Sequence, residues 1–311
     1  MDGPWLLGIE IGGTKLQVGL GRRRGVIEVL ERRAVEPARG AEGVRDLIRD
    51  ASAAALAARS LSNADVRGVG VGFGGPVDAQ NGRTQASFQV DGWTDYPLAD
   101  WIRGLLKVDA VSIHNDADAA GLAEARLGAG VGRSPILYLT IGSGVGGALI
   151  IDGRIYRGAG LGAAEIGHLN VPPPGGDSAR GFPELEQVAS GWGIARAARA
   201  TAAEVVARGG GWEVLEAAGG DGERITTVMV AQAAERGDPG SLDLLDQACR
   251  ALAFALRQAV ALVAPRRIIL GGGVSLIGDP PFRTAFDIVP AALGEEVVVH
   301  GALELARDAV G

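Results

Sequence analysis

The chain has 311 residues, 47% of them hydrophobic and 22% charged, and a net charge of −7. That length suits two cores, since a single core stops growing at roughly 250–300 residues. The acidic balance excludes a nucleic-acid-binding body, which needs clustered Lys and Arg on one face, and a single cysteine excludes an internal disulfide and a cysteine-cluster metal site.

Trp5–Ile11 reads as a strand, Gly12-Gly13 as a tight turn and Lys15–Leu20 as a second strand. No basic and apolar leader precedes them and no run of about 20 apolar residues occurs anywhere, so neither a secretion signal nor a membrane span is read, and a cytoplasmic location is expected. Arg22-Arg23-Arg24 reads as a solvated hairpin tip before a third strand at Val26–Arg33. Ala41–Ser60 has the spacing of an amphipathic helix. Val66–Phe73 is a strand running into Gly74-Gly75-Pro76, and Asp91–Asp95 is a polar turn around Trp93. Pro97 opens a short helix to Leu106. Val108–Ile113 is a buried strand and Asp116–Leu127 a helix.

Ile136–Ile141, Gly142–Gly147 and Ala148–Ile151 then repeat the plan of the first twenty residues, and Asp152-Gly153 is a hairpin turn. Two such hairpins suggest a duplicated architecture with a cleft between its halves. The spans 181–207 and 226–263 are mostly helical, and Cys249 packs there as a small hydrophobe. Arg267–Leu270 is a strand ending in Gly271-Gly272-Gly273, and Ala302–Val310 a closing helix. Strands alternating with helices make this an α/β protein.

The 50 glycines are not periodic, which excludes collagen, and many follow strands. A P-loop fails at Gly8–Lys15, because Thr14 precedes Lys15 and a strand follows where a helix is needed. The dinucleotide fingerprint is matched at Gly142–Gly147 and Gly70–Gly75, but no helix follows either to receive a pyrophosphate. The remaining mechanism is a hairpin turn whose backbone N–H groups face a phosphate, with Thr14 or Ser143 adding a hydroxyl. An ordinary hairpin explains one such turn; two, together with Gly271-Gly272-Gly273, favour nucleotide binding.

Six segments, in order, resemble the ROK family of sugar kinases and sugar-responsive repressors, within the hexokinase–actin ATPase superfamily. Gly8–Lys15 resembles its first phosphate motif, and Gly142–Gly147 its second. Gly74-Gly75-Pro76-Val77-Asp78 resembles P-G-P-V-D, and Asn115-Asp116-Ala117-Asp118-Ala119-Ala120 resembles N-D-A-N-A-A. Glu165-Ile166-Gly167-His168 matches E-I-G-H, and Ile268–Ser275 resembles the adenosine motif. The resemblance implies a two-domain actin-like ATPase (ribonuclease H-like) fold with an interdomain cleft. The expected division is a small N-terminal α/β domain, 1–117 plus 300–311, and a larger C-terminal one, 118–299. It also implies an ATP-dependent hexokinase or glucokinase, commonly dimeric. The repressor branch carries a helix-turn-helix before the first motif, and only seven residues precede Gly8 here, so a kinase is expected.

By this resemblance Asp116 is the general base for the sugar hydroxyl. The plain alternative is that Asn115 or Asp116 caps the following helix, and the two roles are compatible. Gly75, Gln89, Asn115, Glu165, His168 and Glu186 are the implied sugar contacts. Glu186 enters through Leu185-Glu186…Ala189-Ser190-Gly191, with a surface helix charge as its alternative. Gly12, Gly13, Thr14, Lys15, Gly142, Ser143, Gly144, Gly271, Gly272 and Gly273 are the implied ATP contacts. Glu10, where most members carry Asp, is the implied Mg²⁺ partner, direct or through water. His114 and His300 are expected to be structural or exposed.

Three further departures stand out. Pro172–Glu184 holds no cysteine where the family carries its zinc segment, and one histidine cannot supply a tetrahedral site, so no structural zinc is expected. Gln89 replaces the Asn of N-L-P-G-W, which leaves fructose, mannose and N-acetylhexosamines open beside glucose; separately, polyphosphate stays open beside ATP as donor. Ala164 stands where glycine is usual. A sugar sensor that lost turnover is the non-enzyme alternative. Closure of the two halves on the sugar, excluding water, is the motion expected of a kinase.

Overall fold

The computed structural model describes residues 3–87, 89–159, 162–176, 181–277 and 287–311. In chain order, β1 (Trp5–Ile11), β2 (Lys15–Gly21) and β3 (Val29–Ala34) precede α1 (Gly40–Ala57) and β4 (Val66–Phe73). Then come β5 (Val77–Asp78), β6 (Arg83–Thr84), α2 (Leu98–Leu106), β7 (Ala110–Asn115) and α3 (Asp116–Leu127). They are followed by β8 (Ile136–Ile141), β9 (Val145–Ile151), β10 (Arg154–Ile155), α4 (Leu185–Ala189), α5 (Gly191–Ala207) and α6 (Glu213–Ala217). The chain closes with α7 (Thr227–Glu235), α8 (Pro239–Val263), β11 (Arg267–Gly271), β12 (Ile288–Pro290) and α9 (Val297–Val310).

The long strands form two five-stranded sheets, ordered β3-β2-β1-β4-β7 and β10-β9-β8-β11-β12. Each sheet opens on a hairpin with a glycine turn, and the strand order is the same in both, as the repeated motif plan implied. In the first sheet β2 lies antiparallel to β1 and β3, while β4 runs parallel to β1 and β7. In the second, β9 and β10 are antiparallel and β11 and β12 parallel.

The chain divides into two compact units. The first holds residues 1–138, 148–163 and 291–311; the second holds 139–147 and 164–290. The division drawn from the motifs, at residue 117, stays a proposal about the domains.

In the first unit, β1, β2 and β4 are buried on both faces, which explains their nearly continuous apolar runs. Leu7, Ile9, Leu16, Val18, Val69 and Val71 join Val44 and Ile48 of α1 in the core on one face. The opposite face is rich in glycine, and α9 lies flat on it. A Cβ on Gly70 would stand 1.8 Å from the Ala302 carbonyl oxygen. The closing helix starts five residues before the expected Ala302, because its first turns, Val298 and Val299, are needed to cover this face.

In the second unit, Ser190 breaks the expected helical span 181–207 in two. Its hydroxyl accepts the Gly193 N–H at 3.0 Å and caps α5. Asp238 caps α8 in the same way on Ser241 N–H at 2.7 Å, with Pro239 in the first turn. Among the described residues, no helix is long and apolar enough to cross a membrane.

Candidate active site

The first glycine turn joins β1 to β2. Gly12 N–H donates to the Lys15 carbonyl at 3.0 Å and Val35 N–H to the Thr14 carbonyl at 2.9 Å, leaving Thr14 and Lys15 exposed at the tip. Gln89 folds over this turn: a Cβ on Gly13 would meet its side-chain oxygen at 1.5 Å. The residue expected at the sugar thus also packs on the phosphate motif. Glu10, the penultimate residue of β1, is 7% exposed. Its Oε1 lies 3.3 Å from Lys15 Nζ, and its Oε2 accepts from Gln17 Nε2 at 2.6 Å. Burial lifts its carboxyl above the usual range, against the opposing pull of Lys15 and Gln17.

The β7–α3 junction brings Asn115 and Asp116 beside the Gly74-Gly75 turn. Asn115 Nδ2 donates to the Gly75 carbonyl at 3.0 Å, and its Oδ1 accepts the Ala117 N–H at 2.8 Å, which makes Asn115 the cap of α3. Asp116 Oδ1 shares that N–H at 2.8 Å. Its Oδ2 points toward the glycine turn, 3.5 Å from where a Cβ on Gly74 would stand. Burial pushes its carboxyl up to about 6, and the negative Glu10 adds to the rise. A carboxylate poised there is ionised at neutral pH yet basic enough to take a proton.

The neighbouring His114 is half-buried, with Nδ1 2.7 Å from an Arg157 guanidinium nitrogen. Burial and that cation hold it down to about 3, so it is neutral. Arg157 also lies 3.6 Å from Asp118. Nothing in the sequence distinguished Arg157, because its partners come from β7 and α3.

In the second unit, the Gly142–Gly147 turn is fastened to the α4–α5 junction. Gly191 N–H donates to the Gly142 carbonyl at 2.8 Å, Trp192 N–H to the Ser143 carbonyl at 3.2 Å, and Val145 N–H to Glu186 Oε2 at 3.0 Å. A Cβ on Gly144 would stand 2.4 Å from that same Oε2. Glu186 is therefore no free surface charge: it holds the second phosphate motif. Glu165 precedes and His168 ends the short 3₁₀ turn Ile166–His168, and both are exposed. His168 Nδ1 lies 3.3 Å from Glu184 Oε2. Ala164, before this signature, has φ 65°, a left-handed conformation that glycine adopts without strain.

Gly271 ends β11, and Gly272 has φ 85° with its α-carbon against β8: an added Cβ would lie 2.5 Å from the Ile141 carbonyl oxygen. Ser275 Oγ closes the turn by donating to the Gly272 carbonyl at 2.7 Å. Beside it Ile141, Ile194, Cys249, Leu252 and Leu270 line an apolar pocket, and burial raises the Cys249 thiol, in keeping with a packing role.

Among the described residues, no cluster of three His, Cys, Asp or Glu could hold a metal ion. Magnesium usually needs only one or two carboxylates together with substrate phosphates. Glu10, a buried carboxylate under a glycine turn, fits an ion carried in on a nucleotide. Of the expected zinc-replacing loop Pro172–Glu184, residues 177–180 lie outside the described residues.

The ROK family model matches residues 6–309. A glucokinase of Halalkalibacterium halodurans is 32% identical over 285 residues, covering 90% of this chain and 83% of its own. The structure of a ROK family glucokinase from Streptomyces griseus, in complex with glucose and AMPPNP, superposes with a TM-score of 0.76 at 30% identity, covering 98% of this chain and 99% of that one. A ROK hexokinase from Thermus thermophilus gives a TM-score of 0.78 at 26% identity, with coverage of 98% and 99%. The folds of those kinases are the actin-like fold the motifs implied, and the chain belongs to the ROK family.

Proposed function

We propose that the chain phosphorylates a hexose hydroxyl from ATP in the manner of a glucokinase, with Asp116 taking the hydroxyl proton. The coarser reading, an ATP-dependent sugar kinase, rests on the family match along the whole chain and on the two glucokinases above. The observation that carries the finer reading is Asp116 itself. Asn115 caps the helix, which leaves Asp116 Oδ2 directed at the Gly74 turn on a carboxyl tuned to about 6.

In the reaction the sugar oxygen forms a bond to the γ-phosphorus, the bond to the ADP oxygen breaks, and the hydroxyl proton passes to Asp116. Asn115 and Gly75 position the hydroxyl, with Gln89 above the first glycine turn. Glu165, His168 and Glu186 bind further hydroxyls, each able to serve a group that both donates and accepts. The glycine turns at Gly12–Lys15, Gly142–Gly144 and Gly271–Gly273 bind the nucleotide. Glu10, with the phosphates, would hold Mg²⁺, which supplies neutralisation of phosphate charge when bound. A homodimeric assembly, on the resemblance, and a cytoplasmic location belong to the same proposal.

The test is ADP release from MgATP across a panel of hexoses and N-acetylhexosamines, with Asp116→Asn in parallel. Release that depends on one sugar and falls by roughly 10²–10⁴ in the variant supports the reading. Undiminished release in Asp116→Asn removes Asp116 as the base. Sugar binding without turnover, from ATP or polyphosphate, replaces the kinase by a sensor.

A further inference from the structure

The register of the first sheet sets three polar side chains in one row. Glu10 on β1 pairs with Gln17 on β2, and Gln17 pairs with Arg32 on β3. The row lies on the face covered by α9, so Gln17 is only 1% exposed. Its amide is used from both ends: Nε2 donates to Glu10 Oε2 at 2.6 Å, and Oε1 accepts from Arg32 Nε at 2.9 Å. A carboxylate only accepts and a guanidinium only donates, so a single orientation of the amide serves both. Nε2 also reaches the Glu295 carbonyl at 3.3 Å, and Arg32 pairs in turn with Glu296. Of Glu10's two anchors, Lys15 has a side chain 45% exposed, while Gln17 is immobilised by packing.

We propose that Gln17 is the positioning residue for Glu10, holding that carboxylate under the first glycine turn where a magnesium-bearing nucleotide phosphate meets it. The proposal rests on the kinase reading for the ligand, and on this chain's own geometry for the residue. A glutamate has three rotatable side-chain bonds, and a partner fixed by a neighbouring strand removes that freedom before the ion arrives. Supports of this kind commonly carry 10–100-fold in metal affinity or activity.

The experiment is calorimetric titration of the full chain with AMPPNP, with and without Mg²⁺, on wild type, Gln17→Met, Glu10→Asp and the double variant. Met keeps the volume and removes the amide. Gln17→Met is expected to weaken Mg·AMPPNP roughly tenfold and to leave metal-free AMPPNP unchanged. A carboxylate one methylene shorter at position 10 draws away from Gln17, so in the Glu10→Asp background the same change is expected to alter neither affinity. Equal losses with and without Mg²⁺, an unchanged Mg·AMPPNP affinity, or the same tenfold loss in the Glu10→Asp background would each overturn the proposal. If Gln17→Met does not fold, Arg32→Ala frees the far end of the amide from the surface. A loss confined to Mg·AMPPNP then supports the proposal, and no change overturns it. Wild type that binds Mg·AMPPNP but releases no ADP with any sugar would remove the kinase reading and leave Gln17's role standing.

Discussion

Replacing Asp116 by Asn separates the residue's chemistry from its cost to the fold. In an unfolded chain the carboxyl titrates near 3.8; in the fold, burial first and Glu10's charge second push it up to about 6. Between those values the folded chain binds a proton that the unfolded chain does not, so stability rises as pH falls through about 6, and the gain is complete near 3.8. Above 6 the folded chain carries a charge that its surroundings disfavour. At 1.36 kcal/mol per pH unit, full desolvation would cost about 3 kcal/mol. Asp116 is half-buried by area, so solvent screens part of this, and about 1.5 kcal/mol is the expected penalty at neutral pH. Asn keeps an oxygen for the Ala117 N–H and carries no charge. Urea melts of both chains at pH 4.5, 6 and 7.5 should therefore show Asp116→Asn the more stable at 7.5, with the gap closing toward 4.5, while sugar-dependent ADP release is lost. Wild-type turnover should itself fall below about pH 6, as Asp116 takes up a proton. Equal stability at pH 7.5, or a gap that widens in acid, would refute the reasoning.

Ala164→Gly relieves a left-handed conformation and should raise the melting temperature by the equivalent of about 1 kcal/mol, read by thermal denaturation. Gly272→Ala sets a Cβ 2.5 Å from the Ile141 carbonyl, on backbone that cannot swing away. It should cost about 2 kcal/mol or more and weaken AMPPNP binding, read by melting and titration. Glu304, 1% exposed on α9, pairs with Arg24 at 3.2 Å and Arg126 at 3.3 Å. Glu304→Ala leaves Arg126 its two bonds to Asp308 and leaves Arg24 in water, so it should destabilise by only about 1 kcal/mol in urea melts, and Arg24→Ala, on a side chain 57% exposed, by less.

The sequence exposed the motifs because each is short and local. A glycine turn between two strands, or Asn-Asp opening a helix, writes its conformation into neighbouring letters. The same locality misleads at Gly70–Gly75, which matches a dinucleotide fingerprint. Gly70 and Gly72 instead face α9, and Gly74 and Gly75 face Asp116 and Asn115. The missing helix after Gly75 already excludes the fingerprint, but what these glycines do instead is set by a covering helix more than 200 residues away. The β5–β6 hairpin escaped the sequence because two-residue strands have no period to detect. Glu186 reads as a sugar contact with a surface charge as its alternative, and its bond to Val145 escaped the sequence because that partner lies 41 residues earlier.

Gln17 is the extreme case. Lys15-Leu16-Gln17-Val18-Gly19-Leu20 alternates polar or small with apolar residues, the pattern of a strand with one wet face, and on that pattern Gln17 belongs in water. The wet face is dry because α9 returns from the end of the chain and lies on it, with the Glu295 carbonyl, 278 residues away, closing over the amide. A glutamine buried in this way would cost stability unless both ends were satisfied. Strand register places an acceptor-only group on one side and a donor-only group on the other, and satisfies it. The burial that hides the residue from a reading of the sequence also makes it rigid, and rigidity is what a carboxylate needs to meet a phosphate-borne cation at a fixed point.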